Sequence, residues 1–212
     1  MKVPGWDRVK RRWLLYHLAD TRYSFLFDPP PPGEWVALDC EATGLDVRRD
    51  RIVAIGAVRI AGNRLLTSQR LELLVRPDRA PSADSVRVHR LREADLAQGL
   101  EVEQAMHRLL AFIGSRPLVG YYLEYDVALI NREVWPLLGL RLPQRKIEVS
   151  AMYYDWRNRR LPAHEQGGRI DLRFATMMQD LGLPLRGAHD AVSDAVMAGL
   201  AFLKLRQRLG QE

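Results

Sequence analysis

Residues 35–45 read WVALDCEATGL and residues 51–75 read RIVAIGAVRIAGNRLLTSQRLELLV. Trp35 to Leu38 is a short apolar run, and Arg51 to Ile60 is a longer one rich in β-branched residues, so both predict strands. Ala61, Gly62 and Asn63 supply a turn, and Arg64 to Val75 predicts a third strand that Pro77 ends. Three strands in hairpin succession start the sheet antiparallel. The pattern then changes. Val102, Ala105, Met106, Leu109, Leu110 and Ile113 mark one face of a helix over Glu101 to Gly114. Pro117 to Gly120 predicts a fourth strand and Lys146 to Val149 a fifth, with helices at Val127 to Leu138, Leu172 to Leu181 and Ala191 to Leu209. Strands first, then alternating helix and strand, predict an α/β fold with a mixed five-stranded sheet flanked by helices.

Composition bounds the rest. A chain of 212 residues fits one domain of ordinary size with a short appendage, and 47% hydrophobic with 27% charged residues excludes disorder and fibrous repeats. The longest apolar stretches, such as Ile52 to Val58, fall short of the roughly 18–20 residues a membrane span needs, so no membrane association is expected. Asp7, Arg8, Lys10, Arg11 and Arg12 interrupt the place where a secretory signal would be apolar, which predicts a cytoplasmic protein. Cys40 is the single cysteine, so neither an internal disulfide nor a cysteine-built zinc site is available. A formal net charge of +6 biases the surface toward anionic partners such as nucleic acid.

Residues 1–34 read as an N-terminal appendage and linker, and residues 35–212 as the main domain. Val9, Trp13, Leu14, His17 and Leu18 recur at helical spacing, after which Tyr23, Phe25 and Phe27 alternate with Ser24 and Leu26. Pro29 to Pro32 and Gly33 then favour extended polyproline. The aromatic, proline-rich segment admits two readings: a helix packed back on the domain, or a docking element for a protein partner.

Three clusters carry chemistry. Asp39 and Glu41 follow the first strand, and their spacing of two puts both carboxylates on one face. Two buried like charges side by side are costly without a cation, and oxygen ligands favour magnesium or manganese. A solvated strand end is the alternative, against which Thr43 and Gly44 place a tight turn beside the carboxylates. The second cluster is LVGYYLEYDVALI, residues 118–130, in which Asp126 opens a helix or caps it. The third is AHDAVSDA, residues 188–195, where His189 and Asp194 lie five apart.

The ordered set LDCEATGLD, GYYLEYD and HDAVSDA resembles the three exonuclease motifs of the DEDD family, histidine subtype, the DnaQ-like family of the proofreading epsilon subunit of bacterial replicative polymerase. The resemblance spans roughly residues 35 to 205. RDRIVAIGAVRI is similar to that family's second strand, and VRVHRLREADLAQG to its segment between the first two motifs. Position 190, where the tyrosine subtype carries Tyr, is Asp, and the histidine stands five residues before the last Asp. The resemblance implies an RNase H-like exonuclease fold, with Asp39, Glu41, Asp126 and Asp194 holding two Mg2+ or Mn2+ ions and His189 acting as general base. Two metals about 3.5–4 Å apart can serve both the attacking water and the leaving 3′ oxygen. The resemblance also places the terminal nucleotide at Thr43, through its backbone, and at Leu45, wedged against a base. Tyr122 is a candidate for stacking bases.

The match has departures. Ala42 stands where the first motif usually has Thr, and Tyr121, Tyr122 and Tyr125 replace the Gly-His-Asn and Phe pattern of the second motif, which bears on substrate choice more than on catalysis. Tyr125 reads as a replacement for a core Phe. Tyr153, Tyr154, Trp156, Arg157, Arg159 and Arg160 interleave aromatics with cations and suggest either a guide for a strand or a solvated helix end. His89 reads as structural and Cys40 as a buried thiol.

The function expected is a metal-dependent 3′-to-5′ exonuclease that releases nucleoside 5′-monophosphates from single-stranded DNA ends. One alternative is an RNA-trimming or oligoribonucleotide-degrading member of the same family, since 2′-hydroxyl contacts decide that choice. Another is a catalytically silent nucleic-acid-binding regulatory module, which the complete set of acidic residues disfavours.

Overall fold

The computed structural model describes residues 4–185 and 190–210, and of residues 4–8 and 88 the backbone (at 88 not the side chain). Helix α1 (Pro4–His17) and a 3-10 helix over Thr21–Phe27 precede strands β1 (Glu34–Ala42), β2 (Ile52–Ala61) and β3 (Arg64–Leu74). Helices α2 (Ala83–His89), α3 (Glu93–Leu96) and α4 (Val102–Ile113) lead to β4 (Leu118–Gly120), α5 (Leu123–Leu138) and β5 (Lys146–Glu148). Helices α6 (Val149–Asn158), α7 (Phe174–Asp180) and α8 (Ala191–Leu209) complete the described chain. The five strands form one sheet in the order β3-β2-β1-β4-β5. The β3-β2-β1 half is antiparallel, and β1, β4 and β5 run parallel. This is the mixed α/β sheet that the sequence predicts.

Both faces of the sheet are covered, which explains why β2 reads as an almost unbroken apolar run. Val36, Leu38, Ile55 and Ala57 point into one core with α4 and α5, while Ala37, Val58, Ile60 and Val119 point into the other with α6, α7 and α8. The alternation along β1 therefore assigns Asp39 and Glu41 to the α8 side and Cys40 to the α5 side.

The structure departs from the sequence reading in four places. β1 runs on past Leu38 to Ala42, so Asp39 and Glu41 lie inside a paired strand, opposite Gly56 and Ala54. α5 begins one turn before Val127, at Leu123, which makes Asp126 a first-turn residue and not the cap. The alternating Tyr23-to-Phe27 segment is a 3-10 helix, capped by the Asp20 side chain accepting the Arg22 N–H at 2.9 Å. Tyr23 and Leu26 stand one 3-10 turn apart on its buried side, and with Phe27 and Leu18 they pack into the α4/α5 core. Finally, Tyr153 and Trp156 of α6 are buried against α8 and cannot act as an exposed stacking guide. Among the described residues no helix is long and apolar enough to cross a membrane.

Candidate active site

The parallel strands β1, β4 and β5 point to one edge of the sheet, β1 running on past the short β4, and the candidate site is built at that edge. Asp39 and Glu41 project from β1 toward α8. Gly56 faces Asp39 on β2, and a Cβ there would lie 2.1 Å from the Ala191 carbonyl carbon, so the backbone at the start of α8 rests directly on the sheet. Asp190 caps that helix: its carboxylate accepts the Ser193 N–H at 3.2 Å and the Ser193 hydroxyl at 2.6 Å. One turn in, Asp194 then meets the strand. Carboxylate oxygens of Asp39, Glu41 and Asp194 lie within 4.8 Å of one another.

Asp126 reaches the same place from α5. Strand β4 is three residues long and pairs with β1 at Val36 and Ala37, so the Cys40 N–H lies beyond its end. The buried Asp126 carboxylate takes that N–H at 3.2 Å, continuing the ladder with a side chain. Asp126 stands outside the set that closes to 4.8 Å but lines the same cleft, a concavity of about 1070 Å³ that also exposes Leu45, Tyr122 and Glu148.

Glu148, which no motif singles out, fixes the geometry of this edge. Its carboxylate accepts the N–H groups of Tyr122 at 3.1 Å and Leu123 at 2.9 Å, and those of Ser150 at 3.1 Å with the Ser150 hydroxyl at 2.8 Å. One side chain thus caps α5, which carries Asp126, and α6 together. The only available signal was a carboxylate at a strand end directly before a helix.

The site concentrates negative charge. Burial pushes the Asp39 carboxyl well above the usual carboxylate range, and its four strongest charged neighbours, Asp126, Asp194, Glu41 and Asp190, all push the same way. Glu41 rises to about 7, from burial first and then from Asp194 and Asp190. Burial also raises Asp126 well above its ordinary value, against the opposing pull of the Cys40 N–H. Converging hard oxygen donors whose ionised form is this costly without a counter-charge fit divalent cations of the magnesium or manganese class.

The remaining candidates fall in different places. Leu45 is 90% exposed and Tyr122 61% exposed, both at the cleft mouth, and Tyr122 sits in the left-handed region at φ 53°. Thr43 is buried away from the cleft lining. Its N–H donates to the Arg51 carbonyl at 2.9 Å, and its hydroxyl donates to Asp50 at 2.9 Å and accepts the Arg51 N–H at 3.0 Å. Thr43 braces the turn that presents Leu45, and its backbone N–H is already engaged. Tyr125 is a half-buried clasp whose hydroxyl donates to the Gly44 carbonyl at 2.5 Å, and Tyr121 packs on Phe174 and donates to the Leu172 carbonyl at 2.9 Å. His89 is buried, its Nδ1 accepting the Leu91 N–H at 3.0 Å. Cys40 is a buried free thiol. His189 lies outside the described residues.

Comparison with known proteins gives a consistent picture. The family model RNase_T, described as an exonuclease, matches residues 36–202. The chain is similar to the DNA polymerase III epsilon subunit of Aquifex aeolicus, at 23% identity over 177 residues that cover 84% of this chain and 82% of that protein. It is 26% identical over 174 residues to the Treponema pallidum epsilon subunit, covering 82% and 76% of the two chains. Among solved structures, the fold resembles Escherichia coli exonuclease I in complex with a dA16 oligonucleotide, with a TM-score of 0.71 and 15% identity. That match covers 84% of this chain but 42% of exonuclease I, so the chain spans about two fifths of that enzyme.

Proposed function

This chain belongs to the RNase T exonuclease family, which takes in the DEDD-type 3′-to-5′ exonucleases, and from that footing we propose that its substrate is the 3′ end of single-stranded DNA. The products are nucleoside 5′-monophosphates. The observation that carries the reading is the meeting of Asp39, Glu41 and Asp194 within 4.8 Å at a cleft wide enough for a nucleotide, with Asp126 on its wall. DNA as the substrate is supported by the polymerase III subunits among the relatives and by the oligonucleotide complex of exonuclease I.

Asp39, Glu41, Asp126 and Asp194 would hold two divalent ions, Mg2+ or Mn2+. Bound there, the ions would relieve charge on the phosphoryl oxygens, acidify a water and stabilise the leaving 3′ oxygen. The protein's own residues do the rest. The Asp190 cap and the bare backbone of Gly56 hold Asp194 against β1, and Glu148 and the Cys40 N–H hold α5 and Asp126. Leu45 and Tyr122, at the mouth, wedge and stack the terminal base. Thr43 supports that contact by bracing the turn. His189, next to the Asp190 cap in the chain, takes the proton of the attacking water at an imidazole nitrogen, in the histidine subtype of the family.

Residues 1–34 form the segment proposed to receive a protein partner, with residues 35–212 as the exonuclease domain. Val9, Trp13 and Tyr16 leave an exposed stripe on α1, and the polymerase III relatives make a polymerase the partner class to test first. A cytoplasmic location follows from a role on DNA. Degradation of labelled single-stranded oligonucleotides by the wild-type protein and Asp39→Asn tests the catalytic reading.

A further inference from the structure

A second groove, of about 690 Å³, opens beside the catalytic cleft and shares Glu124 and Lys146 with it. The two therefore meet at the Glu124–Lys146 ion pair. One wall is a face of α5 on which Glu124, Ala128, Asn131 and Trp135 follow at helical spacing, and Val47 and Arg141 complete the groove. Trp135 is 54% exposed, a large aromatic surface left in water at the far end. The wall is rigid: the Arg132 guanidinium donates to the carbonyls of Val47 at 2.5 Å and Asp50 at 2.6 Å, and the Asn131 side chain accepts the Leu142 N–H at 2.8 Å. Arg132 is thereby committed to the fold. Lys146 is different, since its ion pair with Glu124 at 3.1 Å is exposed on both sides. Such a pair contributes little and yields readily to a phosphate. Arg141 is exposed.

We propose that this groove carries the single-stranded DNA upstream of the scissile end, with Trp135 stacking a base and Arg141 and Lys146 taking phosphates. The inference rests on the exonuclease reading above and extends it to the strand path. The dimensions agree: the nine residue steps from Asp126 to Trp135 span roughly 14 Å of helix, which is about four nucleotides at 3.4 Å each in a stacked strand. An aromatic platform beside cations suits binding through stacking and phosphates, which tolerates any sequence.

The test uses the full chain and phosphorothioate-linked, fluorescein-labelled oligo(dT) of 3 and 12 nucleotides in magnesium, read by anisotropy, with cleavage of unmodified oligo(dT) followed in parallel. Wild type is expected to bind the 12-mer more tightly than the 3-mer. Trp135→Ala should weaken the 12-mer about 5- to 150-fold, the range of one lost base stack. Trp135→Phe, which keeps an aromatic face, should restore most of it, and unchanged melting temperatures separate lost stacking from lost folding. Arg141→Glu should reduce the salt slope of 12-mer binding by about 0.7. Equal 12-mer affinity for wild type and Trp135→Ala, in a protein that still degrades DNA, overturns the path alone. A wild-type protein that neither binds nor degrades either oligonucleotide overturns the path and the exonuclease reading together.

Discussion

Gly56 stands opposite Asp39 across the antiparallel β1–β2 ladder, on the face where the backbone of α8 begins. The missing side chain is what allows Ala191 to touch the sheet and Asp194 to reach Asp39. Gly56→Ala places a methyl group where the Ala191 backbone now lies, so α8 must shift outward. The expected outcome is a stability loss of about 1–3 kcal/mol from overpacking and a fall in exonuclease rate of at least about 100-fold. Chemical denaturation and single-turnover cleavage check both. Wild-type activity in a folded Gly56→Ala protein would contradict this account of how the site is assembled.

Charge crowding gives the metal-free protein a defined pH response. Burial raises Glu41 from its ordinary 4.5 to about 7 and moves Asp39 and Asp126 in the same direction. In the fold these carboxyls keep their protons to higher pH than in the unfolded chain, and for Glu41 the folded state binds more protons between about pH 4.5 and 7. Stability must then decline as pH rises through that window, with Glu41 alone costing about 3 kcal/mol once ionised. Melting temperatures in EDTA should fall from pH 5 to pH 8, and Glu41→Gln should flatten the curve. Added magnesium or manganese should raise the melting temperature more at pH 8 than at pH 5.

Asp126 has two separable jobs, one for each side of its carboxyl. Asp126→Asn keeps an oxygen to accept the Cys40 N–H and removes a buried charge, so it should fold within about 1 kcal/mol of wild type or better. Its activity should still drop by about 100-fold or more, because the charge is gone. Asp126→Ala should lose activity and also about 1–3 kcal/mol of stability through the orphaned N–H. A paired measurement of denaturation midpoint and rate distinguishes the two substitutions.

Glu148 works through four donors on two helices. Glu148→Ala should cost about 2–4 kcal/mol, since charged acceptors at helix starts contribute more than neutral ones. Glu148→Gln should not rescue it fully, because an amide NH2 turned toward the Leu123 or Ser150 N–H sets donor against donor. The loss should fall on kcat more than on KM, as Glu148 positions α5 and Asp126. A change confined to KM would assign Glu148 to substrate binding instead.

Much of this fold was readable from the residues. The β-branched run of Ile52 to Ile60 and the Gly62-Asn63 turn specify the hairpin, and the two-residue spacing of Asp39 and Glu41 specifies their common face. What escaped was set by tertiary contacts. Helix α6 follows β5 without an intervening loop, because Glu148 both ends the strand and caps the helix. Tyr122 starts α5 in a left-handed conformation that its residue type does not advertise, and Glu148 holds its N–H from 26 residues away. The Tyr23-to-Phe27 alternation mimics a strand, yet the segment is a 3-10 helix that buries Tyr23, Leu26 and Phe27 against the α4/α5 core. The Thr43 backbone looked available to a nucleotide, but the turn consumes its N–H on Arg51.

A metal-dependent exonuclease centred on Asp39 must lose its activity when either the metal or that carboxylate is removed. The most direct measurement follows 5′-labelled single-stranded DNA and RNA oligonucleotides on a sequencing gel with magnesium, manganese or EDTA, for wild type and Asp39→Asn. A DNA ladder shortening from the 3′ end is expected with either metal, absent in EDTA and in the variant. Cleavage that persists in EDTA, or at the wild-type rate in Asp39→Asn, would contradict it.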